Sequence, residues 1–333
     1  MKGVFVGSGS EGLQNQEVCD SILYLCEKGD TTQINVIYVG TATYDLDSPM
    51  VNQTIRLKEA GCNIIKLSVT EPDKRPSFSE LEKLVTEVAD IIIISGGNTL
   101  FAIDVWRACR LDELFRIASS SYGKGCVFAG GSFGANCWFT GAHSDSWDPE
   151  TYKTTMLEAF EKSQGGNSST KDEASEAPKD PSAARPWRYI RVSCLNFLPG
   201  LVCAHFDRIQ SNGVLRADDF DKMMKRHPRE QGIGIDHWAA LVVDGNDYTV
   251  LSMSNKPGSV KEDGTFCRNR SGAPGIWLSN VNPTECEVEM KLLPNAGMLS
   301  DFLKHDFVVV EDEGCETCRL ENPSREEVNV SFS

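Results

Sequence analysis

A serine stands at the centre of the segment best suited to chemistry. Residues 126–139 read CVFAGGSFGANCWF, and Ser132 is the central residue of a Gly-x-Ser-x-Gly pattern between an apolar, strand-like run and a helix-like run. A strand that turns sharply into a helix lifts the serine hydroxyl above the sheet, as in a nucleophile elbow. The backbone N–H of Phe133 can then stabilise a developing oxyanion. We therefore predict Ser132 as the nucleophile of an acyl transfer.

A serine nucleophile needs a general base, and the chain contains five histidines. His205 follows the apolar run of residues 201–204, which places it at the carboxyl end of a predicted strand. Ligands of open α/β sheets bind at that edge, where Ser132 is also expected. We predict His205 as the base, at the same edge of the sheet as Ser132. Two other histidines, His143 and His237, remain alternatives for the base. The last two, His227 and His305, lie in charged runs typical of a protein surface.

Two glycine clusters follow other predicted strands. Residues 7–12 fit Gly-x-Gly-x-x-Gly, but the second strand runs into Gly-Thr-Ala-Thr at residues 40–43, without the acid that would hold a ribose. We therefore do not expect NAD binding. Residues 95–99 read SGGNT before a helix, where backbone N–H groups can face a ligand. The alternative for this cluster is a structural turn in which Asn98 or Thr99 caps the helix.

The order of elements predicts the fold that must position these groups. Up to about residue 140, short apolar runs typical of strands buried on both faces alternate with amphipathic, helix-like runs. This alternation indicates an α/β fold with a doubly wound, mostly parallel sheet and helices on both faces. Later, the Asp-Gly-Asn-Asp turn at residues 244–247 predicts a hairpin that adds an antiparallel edge.

We predict a single α/β domain over residues 1–305, interrupted by a disordered insertion at residues 161–186 that is nearly free of aliphatic side chains. Residues 306–333 are expected to form an acidic tail. The tail contains a lone Cys-x-x-Cys, Cys315 to Cys318, which lacks the second pair of a structural zinc site. The twelve cysteines are scattered along the chain, often in apolar runs, and are expected to be reduced.

The formal net charge of −15 argues against binding to nucleic acids or anionic membranes, which depends on clustered lysine and arginine. The sequence shows neither a signal peptide nor an apolar run of about 20 residues, the length that spans a membrane. We therefore expect a cytoplasmic protein. The sequence does not determine the oligomeric state, and a homodimer is one of the possible states.

Taken together, the motifs resemble the peptidase E (aspartyl dipeptidase) and cyanophycinase family of serine peptidases. The similarity runs in order over about residues 1–255 and comprises GTATYD at 40–45, GGNT at 96–99, GGSFGANCWF at 130–139, SDS at 144–146, LPG at 198–200 with AHFD at 204–207, and GID at 234–236. The resemblance implies a class I glutamine amidotransferase-like fold. It implies that Ser132 and His205 are catalytic and that Gly97 and Phe133 supply the oxyanion hole. Neither a metal nor an organic cofactor is expected.

Two positions depart from the family pattern. Phe133 replaces an alanine and is expected to narrow or reshape the pocket, and His237 replaces the acidic residue that usually follows Gly-Ile-Asp. The third member of the triad is therefore open between Asp145, which we favour from the resemblance, and Asp236. A carboxylate is needed there to fix the imidazole tautomer.

The resemblance further implies a small-peptide substrate with an acidic N-terminal residue. Arg216 is a candidate for the bidentate pair that a substrate carboxylate would make, and Arg208 is a weaker one. Asn98 is a third candidate for substrate binding. We expect a serine-type dipeptidase or exopeptidase that forms an acyl-enzyme on Ser132. The alternative is a catalytically silent relative that acts as a binding or regulatory module.

Overall fold

The computed structural model describes residues 1–119, 125–146 and 187–303. The predicted insertion at 161–186 and the predicted tail at 306–333, with its Cys-x-x-Cys, lie outside these ranges. The strands are β1 (Lys2–Val6), β2 (Asn35–Val39), β3 (Asn63–Leu67), β4 (Ile91–Ile94), β5 (Val127–Gly131), β6 (Phe139–Ser144), β7 (Ile190–Ser193), β8 (Leu198–Cys203), β9 (Gly232–Ile235), β10 (Ala239–Asp244), β11 (Asp247–Ser252), β12 (Ile276–Val281), β13 (Val288–Leu292) and β14 (Ala296–Met298).

The helices are α1 (Ser10–Leu13), α2 (Gln16–Cys26), α3 (Asp47–Glu59), α4 (Phe78–Glu82), α5 (Thr99–Cys109), α6 (Leu111–Ser119), α7 (Phe133–Asn136) and α8 (Arg216–Arg226). The segment Lys83–Val88 continues α4 as a π-helical turn. The helix after Ser132 is a single turn, because the chain enters β6 only two residues after α7 ends.

The central sheet has the order β14-β11-β10-β1-β5-β4-β2-β3. The five strands from β1 to β3 in this order are parallel, whereas β10, β11 and β14 are antiparallel. Strand β1 lies between the two parts, pairing with β5 on one side and β10 on the other. The predicted α/β fold and the antiparallel edge formed by the hairpin of β10 and β11 are therefore confirmed.

Alternate residues of the central strands pack against helices on opposite faces. Val4 and Val6 of β1 belong to an apolar cluster with α2 and α3, whereas Phe5 belongs to a cluster with α5 and α6. All four isoleucines of β4 are fully buried, because both faces of that strand are covered. This two-sided burial explains why the parallel strands are continuously apolar.

The later strands form a second sheet that the sequence did not predict, with the order β13-β12-β9-β8-β6-β7. Strand β8, which precedes His205, belongs to this sheet, whereas β5, which precedes Ser132, belongs to the central one. The expectation that His205 and Ser132 lie at the edge of one sheet is therefore wrong. Strand β6 pairs with β8 after the short elbow helix, so the chain leaves the central sheet directly after Ser132.

Two further observations concern the cysteines and the helices of the described ranges. Nine of the ten cysteines in the described ranges carry free thiols, whereas Cys286 is disulfide-bonded, which corrects the expectation that all are reduced. Within the same ranges, the helices are all too short or too polar to cross a membrane.

Candidate active site

Ser132 occupies a strained turn between β5 and α7. Its φ of 57° and ψ of −118° lie in a region that residues other than glycine rarely adopt. The turn also needs a glycine at position 134, where a Cβ atom would approach the carbonyl oxygen of Ile94 to 2.2 Å. The local geometry is thus that of a nucleophile elbow, and the glycine of the motif is required by close backbone packing.

The side chain of Phe133 packs into the core. It is 1% exposed, and its ring centroid lies 5.4 Å from that of Trp106 on α5. The large side chain is therefore part of the apolar core beside α5, and a narrowing or reshaping of the pocket by Phe133 stays a prediction. As the first residue of α7, Phe133 has a backbone N–H without an intrahelical acceptor.

The second glycine cluster lies against the elbow. A Cβ atom on Gly96 would lie 3.3 Å from the Cβ of Ser132, so this loop and the serine are neighbours. Gly97 has a φ of +130°, and a Cβ there would approach the carbonyl oxygen of Ala42 to 2.2 Å. Only glycine therefore fits this position.

Asn98 caps helix α5. Its Oδ1 accepts the N–H of Phe101 at 3.1 Å, and its Nδ2 donates to the hydroxyl of Tyr44 at 3.3 Å. A cap of this kind typically contributes about 1 kcal/mol to stability. Asn98 thus has the helix-capping role that was the alternative to ligand binding. Both the oxygen and the nitrogen of its side-chain amide already make hydrogen bonds within the protein.

The end of β1 joins the two sheets at the site. The carbonyl of Val6 accepts the N–H of Ser132 at 3.0 Å, and the next carbonyl, of Gly7, accepts the N–H of His205 at 2.9 Å. Two consecutive residues therefore hold the predicted nucleophile and the predicted base, although their strands belong to different sheets. In the described parts of the chain, no hydrogen bond links the Ser132 hydroxyl to the His205 ring.

The ring of His205 contacts a second histidine. Its Nδ1 lies 2.8 Å from Nδ1 of His237, so one of these nitrogens donates and the other accepts. Burial, together with the positive charges of Arg216 and Arg208 and the neighbouring His237, holds the pKa of His205 well below its ordinary range. The imidazole is therefore neutral at neutral pH, which is the form required of a general base.

His237 in turn contacts Glu11. Its Nε2 lies 2.8 Å from Oε2 of Glu11, at the start of α1, and its ring is almost completely buried. Burial, the largest influence, and the charge of Arg208 lower the pKa of His237 to about 4, although Glu11 opposes the shift. This contact is not predicted by the sequence, because Glu11 lies in the glycine cluster of residues 7–12, whose pattern indicates at most dinucleotide binding.

Asp145 and Arg216 form a buried ion pair. Nη1 of Arg216 lies 3.3 Å from Oδ2 of Asp145, and Nη2 donates to the carbonyl of His143 at 2.8 Å. The arginine is 1% exposed and its guanidinium lies 4.9 Å from the ring centroid of Tyr189. The structure thus pairs Asp145 with Arg216, while the imidazole of His205 contacts His237.

Asp236 holds a loop in place. Its carboxylate accepts hydrogen bonds from the N–H and hydroxyl of Ser259 and from the N–H of Gly275. Burial, reinforced by the neighbouring charge of Asp207, raises the pKa of Asp236 to about 7. The hydrogen bonds of Asp236 thus go to this loop, and His205 is not among its described partners.

The hydrogen-bond partners of His143 and His227 are other residues than Ser132. His143 is fully buried, with Nε2 3.0 Å from Oδ1 of Asp219 and Nδ1 3.5 Å from the sulfur of Cys203. His227 lies 3.5 Å from a carboxylate oxygen of Glu230, and His305 is outside the described ranges.

Comparison with known proteins identifies relatives. The model of peptidase family S51 matches residues 4–251. A Trypanosoma brucei brucei protein named G2/mitotic-specific cyclin-1 is 30% identical over 279 residues, which cover 79% of each chain. The uncharacterized peptidase YgaJ of Bacillus subtilis strain 168 is 31% identical over 128 residues, 38% of this chain and 52% of YgaJ. A crystal structure of a Listeria monocytogenes EGD-e protein, provisionally named peptidase E, gives a TM-score of 0.47 at 14% identity, covering 75% of this chain and 97% of that one.

Proposed function

Because the chain belongs to peptidase family S51, and is thus a peptidase of the hydrolase class, we propose that it cleaves small peptides through an acyl-enzyme on Ser132. The observation that carries this proposal is the pair of hydrogen bonds that the N–H groups of Ser132 and His205 donate to the carbonyls of Val6, the last residue of β1, and Gly7, which follows it. They bring together a strained serine and a neutral imidazole, the two groups that nucleophilic catalysis requires.

In this mechanism, Ser132 attacks the scissile carbonyl while His205 accepts the hydroxyl proton. The N–H groups of Gly97 and Phe133 stabilise the oxyanion, an assignment supported by the closeness of residues 96–97 to Ser132 and by the position of Phe133 at the start of α7. The protonated His205 then donates its proton to the leaving amine. Water hydrolyses the acyl-enzyme by the same proton transfers in reverse.

The positive charges near His205 support a preference for an acidic substrate. The charges of Arg216 and Arg208 both lower the pKa of His205, and Arg208 follows His205 by three residues in the chain. Arg216 is already paired with Asp145, whereas Arg208 is half-buried and makes no ion pair within the described ranges. We therefore assign Arg208, ahead of Arg216, as the partner of an N-terminal aspartate side chain, which makes the protein an aspartyl dipeptidase.

Assays on three matched peptides test this assignment. We expect a higher kcat/KM for Asp-Leu than for its neutral isostere Asn-Leu, and no turnover of N-acetyl-Asp-Leu, which lacks the free amino terminus of a dipeptidase substrate. Replacing Arg208 by glutamine should raise KM for Asp-Leu and leave that for Asn-Leu nearly unchanged. Equal kcat/KM for Asp-Leu and Asn-Leu would remove the acidic preference, and the absence of any hydrolysis would remove the dipeptidase assignment.

The pH dependence provides a second test. A histidine base works only when neutral, so activity falls as the pH drops through its pKa. Because burial and nearby arginines lower the pKa of His205, the acidic limb of kcat/KM should lie below about pH 6.5, the ordinary value for histidine. Arg208→Gln removes a positive charge and should move this limb to higher pH.

The matched control is Arg268→Gln, because Arg268 is 69% exposed and pairs with Asp218. It should leave the limb in place. A limb at or above pH 6.5 in the unmodified protein would contradict a neutral, pKa-lowered His205.

A second candidate function is a catalytically silent regulatory module. It is favoured by the trypanosome relative, whose name is that of a cyclin and not of a peptidase. A fluorophosphonate probe separates the two functions, because an active elbow becomes labelled at Ser132 and a silent one does not.

A further inference from the structure

We infer that Glu11, acting through His237, orients the catalytic His205, so that the carboxylate of the triad is supplied by the first turn of α1 across an intervening imidazole. This inference rests on the proposed function of His205 as general base. It assigns a positioning role to two residues, neither of which contacts the reacting atoms.

The tautomers follow from the chain of contacts. A glutamate carboxylate only accepts hydrogen bonds, so Nε2 of His237, 2.8 Å from Oε2 of Glu11, carries the proton. Nδ1 of neutral His237 is then unprotonated and accepts. The contact of 2.8 Å between the two Nδ1 atoms therefore requires that Nδ1 of His205 donates.

The consequence for His205 is a defined basic nitrogen. With the proton on Nδ1, the other ring nitrogen, Nε2, is unprotonated and free to accept the proton of Ser132. The opposite tautomer would place a proton on the nitrogen that must act as the base. Glu11 thus selects the productive tautomer of His205. In an ordinary triad the carboxylate contacts the catalytic histidine directly, whereas here the ring of His237 lies between them.

Asp207 connects the loops that carry the two histidines of the relay, by which we mean the hydrogen-bonded series Glu11, His237 and His205. The N–H of His237 donates to Oδ1 of Asp207 at 2.7 Å, and Oδ2 of Asp207 accepts from Nε of Arg270 at 2.6 Å. Asp207 is two residues after His205, so the loops that carry the two histidines are tied to each other. Trp238 also packs edge-on against the His237 ring, at a centroid distance of 4.7 Å.

The other carboxylates have different partners. Asp145 pairs with Arg216, and the Asp236 carboxylate accepts hydrogen bonds from the N–H and hydroxyl of Ser259 and from the N–H of Gly275. Among the described residues, the hydrogen-bond partner of the His205 ring is His237 alone. The path to Glu11 is therefore the one that connects His205 to a carboxylate in this part of the chain.

Nitrogen-15 NMR of the histidine rings tests the tautomers without any activity assay. In the full chain at pH 7, we expect His205 as the Nδ1–H tautomer and His237 as the Nε2–H tautomer, with assignments from single histidine variants. Glu11→Ala should convert His237 into a mixture of tautomers. An Nε2–H tautomer of His205 in the unmodified protein would overturn the inference, whatever the activity.

Kinetics test the consequence for catalysis. Glu11→Ala should lower kcat/KM for Asp-Leu by about 10- to 100-fold, mainly through kcat, because the base loses its orientation. In a His237→Glu background, where a carboxylate can accept from His205 directly, the same change should alter kcat/KM by less than about twofold. If Glu11 had only a structural role in α1, Glu11→Ala would lower kcat/KM by the same factor in both backgrounds. That result would overturn the relay.

The matched control is Glu59→Ala. Glu59 is 55% exposed and pairs with Arg56, whereas Glu11 is 60% exposed and pairs with His237, so the two substitutions remove similar groups. Glu59→Ala should leave kcat/KM and the tautomers unchanged. If no variant hydrolyses any peptide but the tautomers are as expected, the proposed function fails while the hydrogen-bonded relay stands.

Discussion

Ser132→Ala should lower kcat for dipeptide hydrolysis by at least about 1,000-fold, because the acyl-enzyme cannot form without the hydroxyl. The fold should be retained, since alanine removes one oxygen from a residue that is only 8% exposed. Measured on Asp-Leu under saturating conditions, the loss should fall on kcat and leave peptide binding, measured by calorimetry, largely intact. Fluorophosphonate labelling should disappear in the same variant.

Ser279→Ala is the matched control for this experiment. Ser279 is fully buried on β12, and its hydroxyl has no hydrogen-bond partner in the described ranges, so removing it costs little. The control should retain both activity and labelling. Equal turnover by the Ser132→Ala variant and the unmodified protein would exclude Ser132 as the nucleophile.

Arg216→Met should lower the free energy of unfolding by about 3–5 kcal/mol, since it leaves the charge of Asp145 buried without its partner. Both residues are inaccessible, with side-chain exposures of 2% for Arg216 and 8% for Asp145. Methionine retains the length of the side chain but replaces neither the ion pair nor the hydrogen bond to the carbonyl of His143. Urea unfolding monitored by circular dichroism measures the change.

Two further variants make the stability result specific to the pair. Arg268→Met, which breaks an exposed pair with Asp218, should cost at most about 1 kcal/mol. Adding Asp145→Asn to Arg216→Met should recover part of the loss, because the buried charge is then absent. A loss below about 1 kcal/mol in Arg216→Met, together with a large rise in KM for Asp-Leu, would instead favour substrate binding by Arg216.

The central sheet was predictable because its signals are local. Continuous apolar runs such as Ile91–Ile94 report burial on both faces, and the turn at residues 244–247 reports a hairpin. The second sheet was not predictable in the same way. Strands β6 and β8 pair across the long segment between residues 144 and 198, and nothing in either run specifies which sheet it joins.

In the candidate site, too, the features set by neighbouring residues were predictable and the contacts between distant residues were not. The elbow at Ser132 was predictable from five neighbouring residues, since the turn itself requires glycine there. The contact between His237 and Glu11 joins residues 226 positions apart, which no local pattern reveals. The same holds for Arg216 and Asp145, 71 positions apart, whose burial turned two polar residues into a structural pair.

The position of β1 has a consequence for how the chain folds. This strand pairs with residues 127–131 and 240–244, so its partners lie more than 120 and 230 positions away in sequence. Contacts between such distant segments form slowly, because a large loop must close before they contribute. The carbonyls that hold Ser132 and His205 are therefore in place only after both pairings have formed. A nascent or partly refolded chain consequently lacks the arrangement of Ser132 and His205 that the proposed function requires.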